Sequence, residues 1–272
     1  MISVRPLLGA LLGLVFVADT HAKPAAAKED EGVIEPQADA VLHRMSDYLA
    51  GLQAFRMETT SVDEKVTTEH QKIQELKESK VSVKRPGRLR VDRAGPKGHA
   101  VFRDDGQRFT LFHVEKNVFT DAPAPPTIDA AVDNVRQRLG VDAPAGDLIV
   151  SDAYNALTDG VKVARYVGLE PIGNVQAHHL AMRKKDVDYQ LWIQDGPQAV
   201  PLRYVIVSKD MPSQPEYTLE ITRRRATSAR SAPATSRAWD VNPSIADDEF
   251  KLEVPPNAKR VDLTMKQQEK KP

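Results

Sequence analysis

The 272-residue sequence has no cysteine, few aromatic residues, no net charge and only one long apolar run. Without cysteine, neither disulfide bonds nor attachment of a lipid to an N-terminal cysteine is available. A neutral chain carries no overall field that would attract nucleic acid. The single apolar run lies at the N-terminus, so no later segment is predicted to cross a membrane.

The N-terminal 22 residues have the pattern of a secretory signal peptide. Arg5 precedes the apolar run Leu7 to Ala18, and Thr20-His21-Ala22 ends in a small residue. A run of about a dozen apolar residues is shorter than the roughly twenty that a membrane-spanning helix needs. We therefore predict cleavage near Ala22 and a protein located in the periplasm.

Composition and periodicity predict an α+β fold. We expect residues 23–35 to be a flexible leader, residues 36–262 a single domain, and residues 263–272 a disordered tail. Apolar residues recur at helical spacing after Pro36, and again from Ile128 to Leu139, where Thr127 is positioned to cap the helix and Gly140 to end it.

Between and after these helices, the apolar residues alternate with polar ones, which predicts roughly ten strands. The segment Glu216 to Thr222 shows the alternation most clearly, and Asp104-Asp105-Gly106 predicts a tight hairpin. A last strand is predicted from Phe250 to Val254. Asp147 to Leu157 is expected to form a short, irregular helical pair. The predicted strands together indicate an antiparallel sheet with one apolar face.

The candidate catalytic residues form no recognisable constellation. His178 and His179 are adjacent and, on a strand, point to opposite faces, so they are poorly placed to share a metal ion. Asp186 and Asp188 share a face, but no nucleophile accompanies them. We predict no metal site, no cofactor and no enzymatic activity.

The apolar strand faces supply candidate ligand-lining residues. Trp192 lies on the opposite face from Tyr189 and Leu191, so it is either covered by a helix or loop or lines a cavity itself. The candidates are Phe55, Met57, Phe109, Leu111, Tyr189, Leu191, Trp192, Tyr217 and Leu219.

The segment Arg223 to Arg237 is rich in arginine. Its first three residues, Arg223, Arg224 and Arg225, are candidates for contacting an anionic head group or an acidic partner, since guanidinium groups bind phosphates and carboxylates bidentately. The alternative is a solvated loop.

Several local strings between Ala38 and Val261 resemble an uncharacterised family of predicted periplasmic proteins with a domain of unknown function. The strings are Ala40-Val41-Leu42, Met45-Ser46-Asp47-Tyr48-Leu49, Arg85-Pro86, Pro126-Thr127-Ile128-Asp129-Ala130-Ala131, Arg138-Leu139-Gly140, Asp147-Leu148, Tyr166-Val167-Gly168, His179-Leu180-Ala181 and Leu191-Trp192-Ile193. Where this family often has a cysteine, the chain has Ala177, which argues against a thiol-based role.

The order of elements also resembles the lipoprotein-carrier (LolA-like) superfamily. Trp239, Phe250 and Pro255-Pro256 resemble its closing segment. The resemblance implies a strongly curved antiparallel sheet that forms an incomplete β-barrel, with helices covering the concave face and acyl chains held in the hollow.

Three functions remain open. The first is binding of a lipid, a lipoprotein acyl chain or another amphiphile in an apolar hollow. The second is an envelope protein-interaction or regulatory module without a bound lipid, and the third is an enzyme acting on an envelope lipid. No nucleic-acid partner is predicted.

Overall fold

A computed structural model describes residues 32–139, 145–222 and 239–262, and the side chains of 137–139 and 222 are not described. The predicted signal peptide, the tail from residue 263 and the candidates Arg223, Arg224 and Arg225 lie outside the described residues.

Within the described residues, one large sheet surrounds three helices. The helices are α1 (Pro36–Gly51), α2 (Ile128–Leu139) and α3 (Ala153–Thr158), and short 3-10 helices lie at Gly146–Leu148 and Asp247–Phe250. The strands are β1 (Val33–Ile34), β2 (Ala54–Val66), β3 (Lys72–Lys84), β4 (Arg88–Gly95), β5 (Gly98–Asp105), β6 (Arg108–His113), β7 (Val118–Pro123), β8 (Val163–Ile172), β9 (Val175–Arg183), β10 (Val187–Gln194), β11 (Pro201–Ser208), β12 (Glu216–Thr222), β13 (Trp239–Val241) and β14 (Lys259–Arg260).

The sheet is curved but not closed, which confirms the predicted incomplete barrel. The strand order is β1-β8-β9-β10-β11-β12-β2-β3-β4-β5-β6-β7-β14, and β13 pairs with β2 beyond the end of β12. The pairs are antiparallel except at the two ends, where β1 pairs with β8 and β14 with β7 in parallel. The sheet is therefore mixed, in contrast to the purely antiparallel sheet expected.

Two groups of strands are joined in the middle of the sheet. β2 to β7 form one antiparallel group and β8 to β12 the other, and β12 pairs with β2 through registers such as Leu219 with Ser61. One buried apolar cluster includes residues of both groups together with α1, α2 and α3. The sheet thus wraps around the helices, which cover its concave face.

Helix α1 forms where the apolar periodicity predicts it. Pro36 is its first residue, a position where proline's fixed φ and missing N–H cost nothing. Ala38, Val41, Leu42 and Met45 are buried against the sheet. The polar face of α1 remains outward.

Helix α2 begins at the predicted cap. The Thr127 hydroxyl accepts a hydrogen bond from the Ala130 amide (3.2 Å), and the Ile128 amide donates to the Pro86 carbonyl (2.8 Å). A Cβ at Gly87 would lie 2.7 Å from the Pro126 carbonyl oxygen, so only glycine permits this close approach. The turn after β3 therefore fixes where α2 starts.

The predicted hairpin and the predicted last strand have different outcomes. Asp104-Asp105-Gly106 connects β5 to β6, with Gly106 at a φ of 87°, as expected. The prediction for Phe250 to Val254 is wrong, because Phe250 ends a 3-10 helix and no strand follows it there. Phe250 is buried with Ala54 and Ile245. Its burial in this small cluster, not strand pairing, explains the apolar position.

Candidate functional site

An apolar cavity of about 330 Å³ lies between the concave face of the sheet and α2. We call it the apolar chamber. Its roof consists of Val132 and Val135 of α2 with Ala145, Gly146 and Ile149. Its floor is formed by β2 to β6 and β12, with side chains Met57, Thr59, Ser79, Val81, Leu89, Val91, Arg93, Ala100, Phe102, Leu111, Tyr217 and Leu219.

The chamber follows from the alternation of its strands. Leu89, Val91 and Arg93 are alternate residues of β4 and share the inward face. The apolar stripe of α2 closes the space above them. The volume is at the lower end of the roughly 300–1,000 Å³ that is usual for small-molecule sites.

A second, larger cavity of about 910 Å³ adjoins the chamber and shares Arg93, Ala145 and Tyr217 with it. We call it the charged mouth. Besides apolar residues of β10 and β11, it is lined by charged residues of both signs: Asp63, Glu64, Lys65, Lys77, Arg93, Arg136, Asp147, Lys184, Asp210 and Glu216. The hollow is thus apolar at one end and charged at the other.

Most charges at the mouth are paired. Lys77 and Lys65 lie 2.5 and 2.9 Å from Asp63. Burial alone would raise the pKa of Asp63, but the hydrogen bonds from these lysines hold it below its usual value. Arg136 lies 2.8 Å from Asp147. In these pairs, a cation of the protein itself balances the negative charge of each carboxylate.

Arg93 is different, because its Nε is buried and has no hydrogen-bond partner among the described residues. A buried donor without an acceptor costs roughly 1–3 kcal/mol. Lys184 is also half-buried, and burial lowers its pKa. Its Nζ lies 5.5 Å from the centre of the Tyr189 ring. Two cations therefore face the hollow without a carboxylate in contact within the described structure.

The structure separates the sequence-predicted lining residues into three groups. Met57, Leu111, Tyr217 and Leu219 line the apolar chamber. Tyr189 lines the charged mouth. Phe55, Phe109 and Leu191 are buried in the core and line neither cavity.

Trp192 lies on the other face of the sheet and is only 7% exposed. Its ring stacks on His179, with centroids 4.1 Å apart, and its indole N–H donates to Glu170 (2.9 Å). Arg203 covers the ring at 5.1 Å. Side chains of the neighbouring strands β8, β9 and β11 therefore cover Trp192, which lines neither the chamber nor the mouth.

The two histidines point to opposite faces, as predicted. His179 contacts Glu170 and Gln190, whereas His178 contacts Tyr166 (3.0 Å) and Asp195 (2.9 Å). Asp188 pairs with Lys209 at 2.8 Å. In the described ranges, no three His, Asp or Glu side chains converge closely enough to hold a metal ion.

Sequence reasoning missed Arg93 and the α2 contribution to the chamber. Arg93 occupies an inward position of β4, where alternation alone predicts an apolar residue. A charged residue at such a position was the available signal. Val132 and Val135 belong to the apolar periodicity that predicts α2, but periodicity alone does not show that they border a cavity.

Asp104 is a fully buried carboxylate on the inward face of β5, opposite Leu89. One oxygen accepts a hydrogen bond from the Gly106 amide (2.9 Å), and the other has no partner in the described structure. Burial raises the pKa of Asp104 to about 6. The folded protein therefore binds this proton more tightly than the unfolded chain, whose aspartates titrate near pH 4.

We expect Asp104→Asn to stabilise the protein at neutral pH. The penalty of the buried charge is absent below about pH 4, develops between about pH 4 and pH 6, and amounts at higher pH to at most about 3 kcal/mol. The gain of the variant in free energy of unfolding, measured by urea denaturation, should be about 1–3 kcal/mol at pH 7.5 and near zero at pH 4. Asp186→Asn, at an exposed position of the turn between β9 and β10, is the matched control without such a gain. A pH-independent difference for Asp104→Asn would contradict this account.

A model of the predicted periplasmic protein family DUF2092 matches residues 38–264. No curated protein matches the chain. No helix among the described residues is long and apolar enough to cross a membrane.

Solved structures of low sequence identity resemble this chain. An uncharacterised conserved protein from Thermus thermophilus is 14% identical, with a TM-score of 0.44 over 83% of this chain and 98% of that one. The lipoprotein LppX from Mycobacterium tuberculosis is 12% identical, with a TM-score of 0.44 over 68% and 93%. A LolA superfamily protein from Nitrosomonas europaea is 12% identical, with a TM-score of 0.33 over 79% and 97%. At these identities the likeness concerns the fold alone.

Proposed function

The chain belongs to the DUF2092 family of predicted periplasmic proteins, and we propose that it binds a lipid, a lipoprotein acyl chain or another amphiphile in its half-barrel. The observation that carries the proposal is the apolar chamber of about 330 Å³, which opens beside a charged mouth. An amphiphile has the same division into an apolar and a polar part.

The energetics of burial support this proposal. Each methylene removed from water contributes about 0.8 kcal/mol, so ten methylenes contribute about 8 kcal/mol before the costs of ordering and association. The chamber supplies apolar side chains on the floor and the roof. Useful affinity for an alkyl chain therefore requires no catalytic or charged group within the chamber.

Native mass spectrometry of protein purified gently from a periplasmic extract tests the proposal. We expect a mass shift that corresponds to one bound amphiphile and disappears on denaturation. Solvent extraction followed by lipid analysis would identify the released class. Protein that is repeatedly free of ligand, and that takes up no added amphiphile, would contradict the proposal.

A second candidate function, an envelope protein-interaction module, is favoured by the edge of β8. Among the described residues, β8 pairs with β9 along one side, whereas the pairing with β1 on its other side is limited to Val163 and Ala164. Val167 and Leu169 are 53% and 52% exposed on this strand. An open strand edge can accept an extended peptide from another protein.

The two candidates predict different effects of one substitution. A partner that pairs with β8 should be lost from affinity-purified protein when Leu169 is replaced by Lys, because the charge would lie in the apolar contact. Amphiphile binding in the chamber should be unaffected by Leu169→Lys. A partner retained by this variant would count against the β8 edge as its binding surface.

A further inference from the structure

Arg93 lies where the apolar chamber meets the charged mouth, and it lines both cavities. Its buried Nε has no hydrogen-bond partner in the described structure. Apart from Arg93, the polar side chains that line the chamber are the neutral Thr59, Ser79 and Tyr217. A guanidinium group is thus held at the junction of the apolar and charged parts of the hollow, and its Nε–H has no acceptor among the described residues.

In the part of the chain that the structure describes, no carboxylate forms an ion pair with Arg93. Its neighbours on the adjacent strands are Ser79 and Ala100, which carry no charge. Burial raises the pKa of the Tyr217 phenol, so this group stays neutral at pH 7. The Asp63 carboxylate, also at the mouth, already contacts Lys65 and Lys77.

Lys184 is a second cation at the same mouth. It lies in the turn between β9 and β10, and its ammonium group faces the ring of Tyr189. Within the described residues it forms no ion pair. An anion that enters the mouth therefore finds two positive groups whose charge the protein has not neutralised by contact.

We propose that Arg93, together with Lys184, binds the anionic head group of an amphiphile whose alkyl chain occupies the apolar chamber. This inference rests on the proposed function and adds selectivity for a phosphate or carboxylate over a neutral head group. Arg93 suits this role because its planar donors bind such groups bidentately. The apolar side chains that flank Arg93 in the chamber lower the local dielectric constant, which strengthens the attraction.

Three probes with the same palmitoyl chain separate head-group recognition from chain burial. They are 1-palmitoyl lysophosphatidic acid, 1-palmitoyl lysophosphatidylcholine and monopalmitoylglycerol, each used below its critical micelle concentration with delipidated protein. We expect calorimetry to show at least tenfold tighter binding of lysophosphatidic acid than of monopalmitoylglycerol. Glycerol 3-phosphate, which lacks the chain, should bind at least a hundredfold more weakly than lysophosphatidic acid.

Arg93→Met keeps the apolar stem of the side chain and removes the guanidinium. We expect this variant to lose the preference for the anionic probe while its affinity for monopalmitoylglycerol stays within twofold. Lys184→Met should lose part of the preference. Arg183→Met removes the same charge from an exposed position of β9 and should behave as the wild type.

The wild-type protein provides a test that does not depend on the folding of a variant. Its preference for lysophosphatidic acid should fall as sodium chloride is raised from 20 to 500 mM, because salt screens the attraction. Equal affinities for the three probes, or a preference kept by Arg93→Met, would overturn head-group selection and leave the chamber as a chain-binding site. Failure of every palmitoyl probe to bind would instead overturn the proposed function. Tight binding of glycerol 3-phosphate alone would overturn the amphiphile in favour of a soluble phosphate.

Discussion

Replacing Ala100 with Phe is expected to weaken amphiphile binding by roughly thirtyfold. Ala100 lies on the chamber floor, on β5, beside Arg93 of β4. A phenyl group at this position fills space that the alkyl chain would occupy. Displacing two to three methylenes costs about 2 kcal/mol, which corresponds to the expected loss of affinity. Calorimetry with monopalmitoylglycerol measures the loss without a charged head group.

The matched control is Ala94→Phe. Ala94 follows Arg93 on β4 and is exposed, so the same change of side chain adds no atom to the chamber. We expect Ala94→Phe to bind the probe as the wild type does. Both variants should show the circular dichroism spectrum of the wild type. Undiminished binding by folded Ala100→Phe would exclude the chamber as the site of the chain.

Replacing Arg85 with Ala is expected to lower the free energy of unfolding by about 2–4 kcal/mol. The Arg85 side chain donates hydrogen bonds to three carbonyl groups: Leu52 after α1 (3.2 Å), Ile149 (3.2 Å) and Val150 (3.1 Å). It thereby joins the end of β3 to the helical layer. Removing it leaves three partly buried acceptors without their charged donor. Urea denaturation at pH 7.5 measures the change.

Two further variants test whether the geometry of the guanidinium matters. Arg85→Lys keeps the charge but not the planar arrangement of donors. We therefore expect its free energy of unfolding to lie between that of the wild type and that of Arg85→Ala. Arg88→Ala removes the arginine that begins β4, which pairs with the exposed Asp247 at 3.3 Å and donates one hydrogen bond, to the Asp105 carbonyl (3.3 Å). Its effect should be well under half that of Arg85→Ala. Equal losses for Arg85→Ala and Arg88→Ala would show that the three carbonyl contacts contribute little.

Ala100→Phe, which fills the chamber, and Arg85→Ala, which destabilises the protein, both concern the segment around Ile149. Ile149, whose carbonyl accepts a hydrogen bond from Arg85, also contributes its side chain to the chamber roof. Arg85 therefore holds part of the roof in place. We expect Arg85→Lys to weaken probe binding less than Ala100→Phe does, because the roof side chains themselves remain.

Local patterns in the sequence were sufficient for α1, for the start of α2 and for the Asp104-Asp105-Gly106 hairpin. Each depends on residues within a few positions of one another, such as Thr127 capping through Ala130. The segment from Phe250 to Val254 misled, because five alternating residues do not distinguish a strand from extended chain with one buried side chain. Phe250 is buried by contacts with distant residues.

The lining residues show the limit of alternation. It correctly separated Trp192 from Tyr189 and Leu191, since neighbouring residues of a strand face opposite sides. It did not distinguish Leu191, which is fully buried in the core, from Leu219, which lines the chamber. Whether an inward-facing residue lies in the core or lines the chamber depends on where the helices cover the strand. The packing of helices on the sheet determines this, and alternation along a strand does not encode it.

By itself, the sequence determined the types of the main elements, the faces that the strands bury and the predicted export to the periplasm, because these depend on local periodicity and composition. Only the tertiary structure decided that β12 pairs with β2, more than 150 residues away in the chain, and so joins two groups of strands into one half-barrel. That pairing places Tyr217 and Leu219 in one wall with Met57 and brings Arg93 to the junction of chamber and mouth. Non-local pairing depends on the packing of whole sheet faces around the helices, and no short segment of the sequence encodes it.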